Sequence, residues 1–174
     1  MDFFDAVKAR HSYRGRFKAQ PIPEEHLRQI VQAGLDAPSG CNMQTTEFVI
    51  VTAPGKIKQL AEMAGRESMT GAPAVIVVLC DTEASRYGMQ FWIEDCAAAT
   101  ENLLLAIAAL GYASCWIDGA LRREGRAEKI AALLGAPKSR TVRIVLPVGI
   151  PAEPGTRQTK KPFADRAWFN AYKA

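Results

Sequence analysis

Arg10, Ser12 and Arg14 alternate directly after a short segment of helical periodicity. Guanidinium forks match phosphate oxygens bidentately, and a hydroxyl or backbone N–H fills the acceptor sites that remain. The stretch therefore reads either as a phosphate site or, more plainly, as a solvated basic turn. A second group is the loop Ala37-Pro38-Ser39-Gly40-Cys41-Asn42-Met43-Gln44, where two amides stand among small residues. Amides both donate and accept, as reading the edge of a heteroaromatic ring requires. The alternative there is a polar turn whose Asn satisfies its own backbone.

Other chemistries find little support. The sequence has no GxGxxG after a strand, no GxxxxGK[ST] and no GxSxG. His11 and His26 are the only histidines. Cys41, Cys80, Cys96 and Cys115 lie 39, 16 and 19 residues apart, which is neither a zinc pattern nor a CxxC. Cys41 falls in the amide loop. The other three fall in expected strand or helix cores, where cysteine acts as a small buried hydrophobe. Four reduced thiols and no signal peptide point to the cytoplasm.

These groups must be held by elements that the periodicity outlines. Residues 2–10 read as a short amphipathic helix through Phe3, Phe4 and Val7. A second helix starts near Pro23-Glu24-Glu25, where proline and acids suit a first turn. Residues 47–52 read as a strand, 54–64 as a helix, and 74–80 as a strand covered on both faces. The longest helix runs from Met89 to Leu110. Its second half is apolar on all sides, and Gly111 can close it. Glu94, Asp95, Glu101 and Asn102 interrupt it before it reaches the ~20 apolar residues of a membrane span. Then follow a strand at 112–117, a helix at 123–134 ended by Gly135, and a strand at 140–148. Single strands separated by helices give an α/β or α+β class with one sheet.

The chain of 174 residues is ordinary in composition, with 48% hydrophobic and 23% charged residues. One domain of this length buries roughly 70% of its unfolded surface and folds without disulfides or metal. Its net charge of +4 divides unevenly: +3 over residues 1–18, −5 over 19–137 and +6 over 138–174. The acidic middle and the scarcity of clustered aromatics argue against nucleic acid as the partner.

Arg10-His11-Ser12-Tyr13-Arg14 and the loop from Ala37 to Gln44 resemble the nitroreductase family of FMN-dependent oxidoreductases. Asp95 to Ala106, then Leu110-Gly111-Tyr112-Ala113-Ser114-Cys115-Trp116-Ile117, is similar to that family's central helix and following strand. Leu146-Pro147-Val148-Gly149-Ile150-Pro151 resembles its last core strand, and Lys160-Lys161-Pro162-Phe163 its basic C-terminal segment. The resemblance covers nearly the whole chain in order and marks a short-form member. It implies an α+β fold, a three-layer α/β/α sandwich about a mixed, mostly antiparallel sheet. It also implies one domain over 1–174, in an obligate homodimer with FMN at the interface and a C-terminal extension (about 151–174) lying on the partner.

Residue by residue, the resemblance implies that Arg10 and Ser12 hold the ribityl phosphate and polar chain, with His11 in support. Arg14 would sit at the pyrimidine edge and stabilise the reduced ring. Pro38, Ser39, Gly40, Asn42 and Gln44 would add contacts, partly from the other subunit. Ile117, Asp118 and Gly119 would bring a backbone N–H to flavin N5, which makes Arg14, Asp118 and Gly119 the catalytic candidates. Lys160 or Lys161 would complete the phosphate site. The implied activity is ping-pong transfer from NADH or NADPH, through FMN, to a nitroaromatic, quinone or similar small acceptor. A non-catalytic flavin carrier or sensor is the alternative. No membrane and no metal are expected. The sequence departs from the family pattern at Thr45-Thr46, where Pro-Trp is frequent. It departs again at Gly65 to Gly71, which lacks an Asn and a Lys that read the ring, and in a short segment before the central helix.

Overall fold

The central sheet is built from residues that could not remain in water. In a computed structural model, which describes residues 1–172, Ala74–Asp81 (β2) is buried along almost its whole length. It lies between Thr46–Val51 (β1) and Arg140–Gly149 (β4), and Ala113–Ser114 (β3) completes the order β1-β2-β4-β3. Every pair of these strands is antiparallel. The mixed character expected of the sheet rests on one parallel bridge, Ser12 to Ser114. Lys173, counted above in the basic tail, and Ala174 lie outside the described residues.

Alternation along β2 sends its side chains to two cores. Ile76, Val78 and Cys80 meet Leu27 and Ile30 of Glu24–Leu35 (α2) and Leu103 and Ile107 of Trp92–Ala109 (α4). Val75, Val77 and Leu79 meet Ile57 and Leu60 of Pro54–Ala64 (α3) and Ile130 of Arg126–Leu134 (α5). Two helical layers thus sandwich the sheet, as expected. Each fully buried Ile or Leu contributes about 1.5–3 kcal/mol. Phe3–Ala9 (α1) is capped by Asp2, whose carboxylate accepts the Asp5 N–H at 3.0 Å, and packs on α4.

Three expected boundaries shift, each for a visible reason. The strand expected over 112–117 keeps its register, since Ile117 pairs with Val145 as Ala113 pairs with Gly149. Between them Cys115 would face Pro147, which has no N–H to give, and the ladder lapses. The long helix starts at Trp92 rather than Met89, because Arg86 and Met89 close a tight turn on each other. The helix expected from Arg123 starts at Arg126, after Glu124 and Gly125 take positive φ. Gly111, at φ +81°, follows the end of α4 as expected.

A register shift between Val78 and Leu79 leaves Arg143 as an extra residue on β4. The bulge re-aims this side chain. Its guanidinium reaches the Asp118 carboxylate at 3.2 Å and stands over the Trp92 ring at 5.8 Å.

Candidate functional site

The N-terminal basic stretch is stitched to the far end of the chain by backbone hydrogen bonds. The Tyr13 N–H donates to Ser114 O at 2.8 Å, Lys18 N–H to Ile150 O at 2.8 Å, and Ala152 N–H to Arg16 O at 2.9 Å. Tyr13 and Phe17 bury their rings against Ala72 and Ala113. Residues 12–18 therefore run as a strap along the β3 edge, which carries Arg14 to the segment after β3.

There a cavity of about 630 Å³ opens. Arg14, Ile117, Asp118 and Gly119, all named through the family resemblance, line it together. The Asp118 carboxylate is held by Arg122 at 2.7 Å and by Arg143 at 3.2 Å, so it is a fixed strut. Its carbonyl accepts the Leu121 N–H, and Leu121 is buried, which pins the turn. Among the described residues the Gly119 N–H has no acceptor. It is exposed and free to serve a guest.

Arg14 also lines a second, smaller cavity of about 90 Å³ with Arg10, His11, Ser12, Thr156, Arg157, Gln158 and Lys160. Bases from the two chain ends meet here. Lys160 is part of this wall and Lys161 is not. Arg10 is only loosely paired with Glu101, at 3.6 Å, and Arg14 donates to Ser12 O at 3.4 Å. His11 Nδ1 donates to Ala9 O at 2.9 Å, while its buried Nε2 has no partner. The buried Ser114 hydroxyl is likewise unsatisfied. Such orphans normally mark a missing guest or water.

The amide loop lies elsewhere. Pro38, Ser39 and Gln44 line a separate cavity of about 150 Å³ that shares no residue with the other two. Gly40 and Asn42 belong to the same loop, in a single helical turn over Gly40–Asn42. The loop is tightly built. Cys41, Asn42 and Gln44 all hold positive φ, and the Gln44 N–H donates to Ser39 Oγ at 3.0 Å. Gly40 backs onto Phe91, where any Cβ would collide with the ring. Beneath the loop Asp95, only 4% exposed, accepts the Gly40 N–H at 2.7 Å and the Thr45 hydroxyl at 2.8 Å. The sequence singled out the loop but not this support, although a carboxylate in the first turn of a largely apolar helix was its one signal.

The sequence reading also missed part of the large cavity's wall. Arg66, Ser68, Cys115, Trp116 and Arg123 line it. Arg66 and Ser68 come from the segment noted above for lacking an expected Asn and Lys. Burial pushes the Cys115 thiol up, against the pull of the nearby Arg14 and Arg66 guanidiniums. Arg14, Arg66 and Cys115 all line this cavity.

Comparison with known proteins gives the family and the fold. The model described as "Nitroreductase family" matches residues 7–68 and 61–150. A protein of Methanothermobacter thermautotrophicus, described as a candidate NADH dehydrogenase/NAD(P)H nitroreductase, is 33% identical, with 93% of this chain and 84% of that one covered. A crystal structure of a similarly described protein from Parabacteroides distasonis superposes with TM-score 0.84 at 28% identity, covering 98% of both chains. An FMN-dependent nitroreductase of Clostridium difficile superposes with TM-score 0.84 at 26% identity, over 97% of this chain and 99% of that one.

Proposed function

The chain belongs to the nitroreductase family, and from that premise we propose that it binds FMN in a homodimer and carries electrons from NADH or NADPH to a small acceptor such as a nitroaromatic or quinone. It is an NAD(P)H-dependent flavin oxidoreductase by family. The observation that carries the reading is the position of Arg14, shared by a small cationic cavity and a large one with a free backbone N–H.

The residues fit the cofactor. The small cavity offers Arg10, Ser12 and Lys160 for a phosphate. Bound FMN would supply hydride acceptance from a nicotinamide and onward delivery of electrons. The chain's own part is to bind, orient and stabilise. Arg14 would place a positive charge where negative charge develops on reduction. Gly119 would offer its N–H to the flavin N5, and the Asp118 carboxylate, clamped by two arginines, holds the turn that carries it. No Rossmann motif is needed, because a nicotinamide has only to stack.

Pro38, Ser39, Asn42 and Gln44 enter this scheme through the second copy, where the separate cavity would face the partner's cofactor. Apolar surface supports such a dimer. Phe3 and Phe4 are 63% and 70% exposed. Leu105, Ala106 and Ala109 form an open apolar trough beside Phe3 and stay only half-buried in one copy. Residues 151–166 are exposed almost throughout, with Phe163 against Phe169 and Trp168 against Tyr172 in clusters of their own, as suits an arm laid on a partner.

The purified protein should be yellow, contain FMN and oxidise NADH or NADPH when a quinone or nitroarene is added. A preparation that stays colourless after FMN is supplied would overturn the reading. FMN uptake without nicotinamide oxidation would leave a carrier.

A further inference from the structure

The rim of the large cavity holds more positive charge than the proposed cofactor uses. Under the reading above, the phosphate is answered by Arg10, Ser12 and Lys160, and the ring by Arg14. Arg66 and Arg123 remain on the same wall. Among the described residues neither forms an ion pair. The two carboxylates on that rim are already engaged, Asp118 by Arg122 and Arg143, and Glu124 by Arg126 at 2.8 Å.

Both guanidiniums spring from braced turns. Gly65, at φ +63°, reverses the chain after α3, and the Arg66 N–H returns to Ala61 O at 2.9 Å. Arg66 O accepts the N–H of the wholly buried Met69 at 3.0 Å. Arg123 follows the buried Leu121, and its carbonyl accepts the Arg126 N–H at 3.1 Å. Arg126 joins the two turns, since its guanidinium donates to Ala64 O at 3.1 Å. The turns are thus fixed relative to each other while both arginine side chains stay exposed. Two unpaired forks on a rigid rim complement a carboxylate or a phosphate.

We propose that Arg66 and Arg123 form an anion subsite on the cavity rim, which selects a second substrate bearing a carboxylate or phosphate group. The proposal rests on the FMN reading and names the substrate class of the same site. The anion has two possible bearers: an acidic electron acceptor, or the 2′-phosphate that distinguishes NADPH from NADH.

The test uses the FMN-loaded protein. Benzoate and its neutral counterpart benzamide, neither of them reducible here, are titrated while the flavin absorbance is followed. In parallel, flavin reduction is measured by rapid mixing across concentrations of NADPH and NADH. An acidic acceptor predicts benzoate bound about tenfold more tightly than benzamide, and a 2′-phosphate guest predicts a similar preference for NADPH. Either preference should shrink in Arg66→Gln and in Arg123→Gln and vanish in the double variant. It should persist in Lys138→Gln, which removes equal charge away from the cavity. Absence of both preferences in the unaltered protein, or a preference that survives the double variant, overturns the proposal. If FMN binds and NAD(P)H is oxidised without either preference, the subsite alone falls. If FMN does not bind, the reading beneath it falls too.

Discussion

Asp95 is the residue on which the Pro38–Gln44 loop depends most, and a mutant cycle with Thr45 measures how much. Replacing Asp95 with Ala removes acceptors for the Gly40 N–H and the Thr45 hydroxyl. Gly40 is half-buried, so its N–H can turn to water. Thr45 is 3% exposed, so its hydroxyl cannot. One lost bond to a carboxylate plus one orphaned buried donor should cost about 3 kcal/mol. Asp95→Asn is milder, at about 1–2 kcal/mol, because the amide oxygen can keep Gly40 while the NH₂ forces the Thr45 proton to reverse. Combining Asp95→Ala with Thr45→Val removes both partners, so the double variant should be less damaged than the sum by about 1–2 kcal/mol. Urea unfolding of the FMN-free protein reads these values. Cys41, Asn42 and Gln44 hold positive φ, each a strain of order 1 kcal/mol, and they should relax once the support is gone. FMN affinity should therefore fall in both Asp95 variants. Additivity within about 0.3 kcal/mol would refute the shared bond. Full FMN affinity despite lost stability would show that the loop takes no part in the cofactor site.

Further expectations concern other parts of the molecule. Arg14→Ala should slow flavin reduction more than it weakens FMN binding; stopped-flow reduction at an unchanged rate would remove the electronic role. Leu105→Asp, in the apolar trough beside Phe3, should yield monomers with little FMN by sedimentation, and a dimer retaining its colour would move the interface elsewhere. In the folded protein a disulfide reagent should titrate Cys41 fast and the buried Cys80, Cys96 and Cys115 slowly. Burial pushes the Cys115 thiol above its ordinary value of 9.0, so above about pH 9 the unfolded chain loses a proton that the native state keeps. Stability must then fall with rising pH, by up to about 1.4 kcal/mol per pH unit for this thiol, and Cys115→Ala should flatten that slope.

The elements were legible because their periodicity is strong. The apolar run of β2 and the capped α3 appear almost where the sequence puts them. Where the reading slipped, the cause was a partner that sequence cannot show. Pro147 is unremarkable until Cys115 is placed opposite it, and the start of α4 depends on Arg86 meeting Met89. The same holds for the site. Motif residues such as Arg14 and Gly119 could be named from resemblance. Arg66 and Arg123 could not, since what gathers them is the bond from Arg126 to Ala64 O and the packing of α3 on α5. That Lys160 and not Lys161 lines the small cavity likewise follows from the path of the tail.

The division of charge along the chain takes on a sharper meaning in three dimensions. The ends were basic and the middle acidic, which suggested that bases from the two termini converge on one anion. Arg10 and Arg14 from one end do share a wall with Arg157 and Lys160 from the other. Yet the middle, acidic on balance, supplies Arg66 and Arg123 to the neighbouring cavity. The acids on that rim, Asp118 and Glu124, are already paired with Arg122, Arg143 and Arg126. A count of charge per segment therefore understates the field at the site. What matters is which acids are already engaged, and here Arg122, Arg143 and Arg126 engage them, leaving Arg66 and Arg123 for guests that carry negative charge.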